Sequence, residues 1–418
     1  MVQNTSSHAV EFESVVDRCC GLDIHKVEIV ATVDGEGIKK ETRSFTSTTR
    51  SLTELKEWLL SLGITHIAME STGVYWKPVF NILEPGGFTI MIVNARHIKY
   101  VPGHKTDKKD SAWICKLLKA GLLKGSFVPG QAQRDLRDLT RYRRKLVQSE
   151  SAEHNRLIRV LEDANLKLSS VFSNVTGKTC TMVIDEILKG NTDAAYLASL
   201  CTNGHLKHSQ QEILEAVEGR FTGHHKFMLQ RIRVSIDNLQ KEIEALDEEI
   251  DRRVLPFADR VAQLAEIPGM GETSAKELLA EIGVDMSYFP TDAHLASWAG
   301  LCPGNNESAG KKKSSHTNHG NKATKAIITE CAWSASRTKG TFFSARYSKL
   351  AGRRGKKRAL VALGHEILKV VYHMLKDGTA YKELGASFID DRRKNAVIHY
   401  HKEALKQLGV ELPEKGTV

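Results

Sequence analysis

Four acidic residues in the first third of the chain have the types and spacing of a metal-binding catalytic site. Asp23 and Glu70 each follow a short apolar segment that is a candidate strand. Asp107 and Asp110 lie three residues apart at the start of a predicted helix, so they share one of its faces. Strand ends at one edge of an α/β sheet are where such folds place ligands. We therefore expect the four carboxylates to converge.

Carboxylates that converge need cations. Two like charges about 4 Å apart repel by roughly 1 kcal/mol in water and by about 4 kcal/mol at an effective dielectric of about 20. Mg²⁺ or Mn²⁺ relieves that repulsion and prefers oxygen ligands, and two ions about 4 Å apart can stabilise both oxygens of a phosphodiester exchange. Taken singly, each acid has a structural alternative, as a turn former or a partner of the helix dipole. Their order on strand, strand and helix is what predicts a metal site.

Ser308 is a candidate nucleophile in the C-terminal half. It lies in Asn305-Asn-Glu-Ser-Ala-Gly-Lys-Lys-Lys313, within a segment, 304–320, whose Gly, Asn, Ser and Lys content predicts a mobile loop. The following lysines create a local field that can bind a phosphate and lower the energy of a serine alkoxide. A solvated serine is the ordinary alternative. No histidine base is adjacent, although His316 is near along the chain.

The charge balance suits a polyanionic partner. The 418 residues, enough for two or three domains, include 60 Lys and Arg against 50 Asp and Glu, a formal charge of +10. Any single basic cluster is more commonly a solvated face, but four clusters, two of them beside candidate catalytic residues, favour a nucleic-acid surface. The candidate contacts are Lys105, Lys108, Lys109, Arg141, Arg143, Arg144, Lys311, Lys312, Lys313, Lys322, Arg353, Arg354, Lys356 and Lys357.

Cysteine usage and hydropathy argue against two other classes of protein. The seven cysteines form no C-x-x-C pair and are odd in number, which argues against a disulfide framework or a zinc ribbon and predicts a reducing cytoplasm. No apolar run approaches the ~20 residues that span a bilayer, so we expect no membrane partner. The polar residues 1–14 predict a disordered lead-in.

Residues 15–130 have the pattern of an α/β domain. Asp34-Gly35 supplies a hairpin turn after the second candidate strand. The predicted strands are Cys19–Asp23, Glu28–Val33, Ile64–Met69 and Phe88–Val93, and the predicted helices are Leu52–Leu62 and Thr106–Ala120.

Helical periodicity dominates the remainder. Seven apolar residues from Leu229 to Ile250 alternate steps of three and four, which predicts a coiled-coil hairpin or dimer arm that ends at Pro256. Residues 165–225 are poorly periodic and predict only mixed helix and loop. Helices are expected at 322–337 and 357–375, followed by a basic, polar tail.

Residues 264–283 form a possible helix-hairpin-helix. Gly269 and Gly271 lie in a tight turn before the predicted helix Glu272–Ile282. The free N–H groups of such a turn and helix start can bind a DNA phosphate. An ordinary helical turn is an equal alternative.

Together these segments resemble the insertion-sequence family 110 transposases, over nearly the whole chain and in the family's order. The resemblance rests on Gly21-Leu-Asp-Ile-His-Lys26, Met69-Glu-Ser-Thr-Gly-Val-Tyr75, His104-Lys-Thr-Asp-Lys-Lys-Asp-Ser-Ala-Trp113, Ile267-Pro-Gly-Met-Gly271, Ala299-Gly-Leu-Cys-Pro303, Ser308-Ala-Gly-Lys311, Gly355-Lys-Lys-Arg-Ala-Leu360 with His365, and Tyr372-His-Met-Leu375. Family loops often have Ser-Gly-Gly-Lys where this chain has Ser-Ala-Gly-Lys, and alanine has less φ freedom there.

The resemblance implies a fold, a site and partners. It implies an RNase H-like, RuvC-like N-terminal domain whose four DEDD acids are Asp23, Glu70, Asp107 and Asp110, and a C-terminal domain whose catalytic serine is Ser308. It also implies a bridge RNA that pairs with donor and target DNA. Dimers or tetramers are implied as well, with active sites assembled from different protomers.

The sequence thus predicts an RNA-guided DNA transposase in a bacterial or archaeal cytoplasm, associated with the nucleoid. The fold class is α/β plus α, with these parts: a lead-in at 1–14, the RuvC-like domain at 15–130, a helical coiled-coil arm at 131–256, a mainly helical transposase domain at 257–350 and a basic helical region at 351–418. Two alternatives stay open here. One is a hydrolytic junction resolvase or nuclease that uses the four acids alone, and the other is a non-catalytic nucleic-acid scaffold.

Overall fold

The computed structural model describes residues 15–71, 73–94, 110–201, 208–304, 306–308, 311–314 and 316–407, with the backbone alone at 306–308 and 311–314. The chain divides into two compact units, Met1–Val128 and Pro129–Val418. No helix in the described ranges combines the length and the apolar character needed to cross a lipid bilayer.

A five-stranded mixed sheet organises the first unit. Its strands are β1 Arg18–Ile24, β2 Glu28–Gly35, β3 Ile38–Thr46, β4 His66–Glu70 and β5 Thr89–Val93. The spatial order is β3-β2-β1-β4-β5, with β1, β2 and β3 antiparallel to one another in turn and β1, β4 and β5 parallel. This sheet, followed by a mostly helical remainder, is compatible with the RuvC-like domain that the resemblance implies.

Helices cover both faces of the sheet because the strands are apolar on both sides. Helices α1 (Thr49–Ser61) and α2 (Trp76–Leu83) pack on one face, against side chains such as Leu22 and Met69. Helix α3 (Asp110–Lys119) packs on the other face, against Cys19, Ala68 and Val93. The four predicted strands and helix α1 are confirmed, whereas β3 and α2 were not predicted. Residues 106–109 of the predicted second helix lie outside the described residues.

Two long helices form the start of the second unit. Helix α4 spans Gln131–Asp163, and the helix that is the ninth within the described ranges, α9, spans Gly223–Val254. Polar contacts between them run in opposite order along the two helices: His225 with Asp163, Gln240 with Glu150, Arg143 with Asp247 and Arg253 with Asp135. The two helices are therefore antiparallel neighbours over most of their length.

The heptad positions face this intramolecular partner. Leu229, Ile232, Ile236, Ile243 and Ile250 of α9 are buried. Leu239 and Leu246 are half-buried. The apolar seam thus packs within one chain, while coiled-coil geometry and a dimer arm stay predictions.

The segment between the two long helices is more helical than its sequence indicated. It contains α5 Leu168–Val171, α6 Lys178–Lys189, α7 Ala194–Ser199 and α8 Gln210–Val217. Their apolar faces share one core with the adjoining ends of α4 and α9, in which Leu168, Val183 and Leu229 are fully buried. These short helices form a cap on the helix pair.

Seven further α-helices follow in the described part of the second unit. They are α10 Ala258–Ala265, α11 Glu272–Ile282, α12 Asp292–Trp298, α13 Lys322–Ala335, α14 Phe342–Arg354, α15 Lys356–Asp377 and α16 Phe388–Gln407. Helix α15 is central, with Leu363, Ile367, Leu368 and Val371 fully buried. The predicted helices at 322–337 and 357–375 are confirmed. The polar closing segment of the predicted basic helical region contains helix α16, whose described side chains are mostly exposed.

Residues 304–320 were expected to form a loop, and that expectation was wrong. The chain forms a two-stranded hairpin, β6 Asn306–Ser308 and β7 Lys311–Ser314. We call these residues the serine hairpin. Main-chain hydrogen bonds pair its strands whatever the side chains are, so the segment can have the composition of a loop.

Candidate active site

Strand register places two of the predicted acids side by side. Strands β1 and β4 are parallel, and Leu22 pairs with Met69. The next residue on each strand is an acid, Asp23 and Glu70. Parallel neighbours lie about 4.8 Å apart and alternate between the two faces of the sheet. Leu22 and Met69 face α1 and α2, so Asp23 and Glu70 lie on the opposite face, beneath α3.

Helix α3 brings Asp110 to the same edge of the sheet. A Cβ atom at Gly21 would lie 2.3 Å from both Ser111 O and Cys115 N, so only glycine allows the backbone of α3 to approach β1 this closely. Further along α3, the sulfur atoms of Cys115 and Cys19 are 3.6 Å apart. The helix therefore runs antiparallel to β1, and its first residue, Asp110, lies toward Asp23.

A buried hydroxyl pair fixes the start of α3. Ser111 Oγ and Thr32 Oγ1 are 2.8 Å apart, and both residues are buried. Thr32 lies on β2 opposite Gly21 and also contacts Thr42 Oγ1 on β3, at 2.9 Å. Sequence reasoning missed this anchor, although a serine directly after Asp110 and a threonine inside an apolar strand were visible signals.

Asp23 is nearly buried, at 8% exposure. His25 Nε2 lies 3.2 Å from its Oδ2 atom, while the imidazole itself is 61% exposed. Sequence reasoning did not include His25 in the site, despite its position two residues after Asp23.

Three of the four predicted metal ligands lie within the described residues. Asp23, Glu70 and Asp110 are described, whereas Asp107 lies outside the described residues. Within the described ranges, no group of three or more His, Cys, Asp or Glu side chains is close enough to hold a metal ion. The donor set fits Mg²⁺ or Mn²⁺ in its chemistry, since every predicted ligand is a carboxylate oxygen. The adjacent strand ends of Asp23 and Glu70 agree with that fit, and the convergence of all four acids stays a prediction.

The serine hairpin lies in the second unit. Ser308 pairs with Lys311 across the turn, and Glu307 pairs with Lys312. An irregularity in register follows between Asn306 and Glu307. The turn residues Ala309 and Gly310 lie outside the described residues, as do the side chains of Ser308 and Lys311–Lys313. The backbone register thus brings the candidate nucleophile and the first lysine together at the tip of the hairpin.

Backbone contacts anchor the base of this hairpin. The N–H of Gly304 donates to His316 O, and the N–H of Asn318 donates to Cys302 O, each at 2.9 Å. The segments that flank the hairpin pack closely at Gly300 and Gly320, where a Cβ atom at Gly320 would lie 2.2 Å from Gly300 N. Helices α12 and α13 therefore set the position of the hairpin from either side.

Comparisons with known proteins give one match that includes the five-stranded sheet and another that includes the serine hairpin. A family model described as a transposase with a DEDD domain matches residues 20–166, and a model described as the transposase IS116/IS110/IS902 family matches residues 261–348. The two matches together span more than half of the chain. The chain belongs to the IS110 family of transposases.

Two relatives of this IS110-family chain illustrate the range of similarity. One is an uncharacterized 43.6 kDa protein of insertion element IS110 from Streptomyces coelicolor, 34% identical over 122 residues, which are 28% of this chain and 29% of the relative. The other is the transposase for insertion sequence element IS1111A from Coxiella burnetii, 23% identical over 331 residues, which are 77% of this chain and 80% of the relative.

Three arginines proposed as nucleic-acid contacts have partners within the IS110-family chain. Arg141 donates to both carboxylate oxygens of Glu281, at 2.6 and 2.8 Å. Arg143 likewise forms a two-point ion pair with Asp247. Arg144 bridges two acids, Glu277 and Glu330. The sequence showed a basic run but not its acidic partners, which lie more than 100 residues away, and we now assign these guanidinium groups to helix packing.

The glycines of the predicted helix-hairpin-helix have different roles. Gly269 has a φ of +86° and lies against α13, where a Cβ atom would be 2.3 Å from Ala335 N. Its backbone therefore serves packing rather than phosphate binding. Gly271 caps α11 with open space around it, but the exposed Glu272 in the first turn opposes an anion there.

Five other basic candidates are exposed. Lys322 begins α13. A second group surrounds Gly355, where α14 ends and α15 begins, and we call it the basic junction: Arg353, Arg354, Lys356 and Lys357. Since α15 starts here, its positive dipole end adds to these charges. Lys105, Lys108 and Lys109 lie outside the described residues.

Proposed function

We propose that this IS110-family transposase is an RNA-guided DNA recombinase that cuts and rejoins strands through Ser308. The observation that best supports the proposal is the register of β1 and β4, which aligns Asp23 with Glu70. The close approach of α3 to β1 at Gly21 adds to it, because α3 begins at Asp110. Carboxylates on two neighbouring strands and on the helix packed over them are the kind of ligand set that metal-dependent phosphoryl transfer uses.

Each step of the proposed reaction breaks one phosphate ester bond and forms another. Ser308 Oγ attacks a DNA phosphodiester, a serine–phosphate bond forms, and the P–O bond to the leaving nucleoside breaks, releasing a free hydroxyl. In the second step a hydroxyl of another strand attacks the serine phosphate, restores a phosphodiester and frees the serine. Because one phosphate ester replaces another at each step, no external energy source is needed.

Each part of the chain has a separate task in this scheme. Asp23, Glu70, Asp107 and Asp110 would hold Mg²⁺ or Mn²⁺, which when bound would offset negative charge developing on the phosphate oxygens. Lys311, paired with Ser308 in the hairpin, would bind the phosphate under attack. Lys322 and the basic junction would contact nucleic-acid backbones without reading sequence.

Guidance by a bridge RNA and assembly into dimers or tetramers are further parts of the proposal. Family membership supports both, and the formal charge of +10 suits a chain that binds two kinds of nucleic acid. Under this scheme base pairing reads the donor and target DNA, so the protein needs few contacts to bases.

The test is a denaturing gel for covalent protein–DNA species. The substrate is a plasmid that carries this gene with its flanking DNA, incubated with the transcript of that flanking DNA, with and without Mg²⁺. We expect an adduct that requires Mg²⁺ and the transcript, disappears in Ser308→Ala and persists in Ser314→Ala, a serine in the same hairpin. Glu70→Gln should abolish the adduct, whereas Glu41→Gln on exposed β3 should not.

Two results would contradict the proposal. An adduct in Ser308→Ala would exclude this serine as the nucleophile. Free cut ends with no adduct in the unaltered protein would identify a hydrolytic nuclease instead.

A further inference from the structure

Glu281 is a buried acid on which three segments of the second unit converge. Its side chain, at the end of α11, is 1% exposed. Arg141 of α4 donates to both of its oxygens, and Asn321 Nδ2 donates to Oε2 at 2.8 Å. Arg137 of α4 has its Nε atom 3.7 Å from the same carboxylate.

Asn321 carries this contact to the serine hairpin. Its main-chain N–H donates to Trp298 O at 2.8 Å, at the end of α12, the helix that precedes the hairpin along the chain. Its Oδ1 atom accepts from the N–H groups of Ala323 and Thr324, which caps α13, where the hairpin ends. Asn321 therefore holds both ends of the segment that carries Ser308, one end through its main chain and the other through its side chain, and the same side chain links them to Glu281.

Helix α4 also grips the main chain beside Glu281. Gln133 Nε2 and Arg137 Nε each donate to Ala280 O at 3.1 Å, and Arg137 donates to Glu281 O. Burial, partly offset by the adjacent Glu281, lowers the pKa of Arg137 to about 10. Such desolvated charges need their partners, because an uncompensated buried charge is strongly unfavourable. The position of α4 is thus tied to that of α11.

We propose that Glu281 is a positioning residue for Ser308, through which helix α4 sets the placement of the serine hairpin. This inference rests on the proposed function. Without this link the hairpin should move relative to the DNA phosphate that Ser308 attacks. A displacement of about 1 Å in a reacting group lowers the reaction rate by roughly 100-fold. Nucleic-acid affinity should change little, because neither Glu281 nor Asn321 is exposed.

Two variants separate positioning from folding. Glu281→Gln keeps an acceptor for Asn321 but removes the charge that pairs with Arg141. Asn321→Ser keeps a good helix cap and the ion pair, yet its side chain is too short to reach Glu281. Asp247→Asn is the matched control, since it breaks the two-point pair with Arg143 on the same helix, away from the hairpin.

The experiment measures three quantities for each full-length variant: the rate of adduct formation on the plasmid described above, the affinity for that plasmid with its transcript, and the midpoint of thermal unfolding. We expect Glu281→Gln and Asn321→Ser to slow adduct formation by about 10- to 100-fold. Their affinity should stay within about twofold of the unaltered protein, as expected of residues that contact no phosphate. Asp247→Asn should form the adduct at the normal rate.

The outcomes distinguish this inference from the proposed function. If Ser308→Ala still forms the adduct, the proposed function fails. If Ser308→Ala is inactive but Asn321→Ser reacts at the normal rate, the positioning role of Glu281 is overturned. It is also overturned if the rate of Asn321→Ser falls only in proportion to its affinity or its folded fraction.

Discussion

Replacing Gly21 by alanine should displace helix α3 and with it Asp110. The new Cβ atom would lie 2.3 Å from Ser111 O and Cys115 N, both backbone atoms that cannot rotate away. A normal contact is about 3.5 Å, so the helix must retreat by about 1 Å. Overpacking of this kind lowers the free energy of unfolding by about 1–3 kcal/mol.

The displacement also breaks a buried hydrogen bond. Ser111 and Thr32 would separate beyond their 2.8 Å contact, and leaving their hydroxyls unpaired adds about 1 kcal/mol or more. The total expected loss is about 2–4 kcal/mol. A shift of about 1 Å in Asp110 should also slow adduct formation by roughly 100-fold.

Urea unfolding followed by circular dichroism measures the first effect, and the adduct gel measures the second. Gly125→Ala is the matched control, because its Cβ atom would lie 3.6 Å or more from Met91, an ordinary contact. We expect this control to change the unfolding free energy by less than about 1 kcal/mol. If Gly21→Ala unfolds and reacts like the unaltered protein, the close approach of α3 to β1 does not position the site.

Three further experiments test other parts of the structure. Changing the four basic residues of the basic junction to glutamine should reduce the magnitude of the slope of log affinity against log salt by about 3 to 4 for duplex DNA, if each contacts one phosphate. An unchanged slope in salt titrations would show that nucleic acid binds elsewhere. Leu229→Ala, in the core of the helical cap, should lower the unfolding free energy by about 2–5 kcal/mol, whereas Val234→Ala, 46% exposed, should change it by less than about 0.5 kcal/mol; equal urea midpoints for the two would contradict the packing of α9. Tyr372→Phe should lower the stability by about 1–3 kcal/mol, since its hydroxyl donates to Phe289 O at 3.0 Å, and thermal unfolding should show no such loss for the exposed Tyr400→Phe.

Sequence patterns predicted the elements whose burial repeats locally. The short continuous apolar runs of β1 and β4 and the spacing of Leu52, Leu55 and Leu59 in α1 are local patterns, so these strands and this helix could be predicted directly. Acids at the ends of two such strands were visible for the same reason. The heptad of α9 likewise showed its buried face, though not its partner.

The composition of a segment could mislead where backbone contacts or distant partners decide the structure. The serine hairpin has the composition of a loop, because its strands are held by main-chain hydrogen bonds that no side-chain pattern records. Arg141 belonged to a basic run and was interpreted as a phosphate contact. Its partner Glu281 lies 140 residues away, so only the fold could show that the charge is already paired.

The sequence by itself determined which residues could do chemistry, since residue type and local spacing define a carboxylate set and a serine beside lysines. Only the tertiary structure decided which of them meet. The register of Leu22 with Met69 aligns Asp23 with Glu70, and the missing side chain of Gly21 lets α3, which begins at Asp110, pack closely against β1. Both depend on contacts between segments far apart in the chain, whose energies come from packing rather than from local preference.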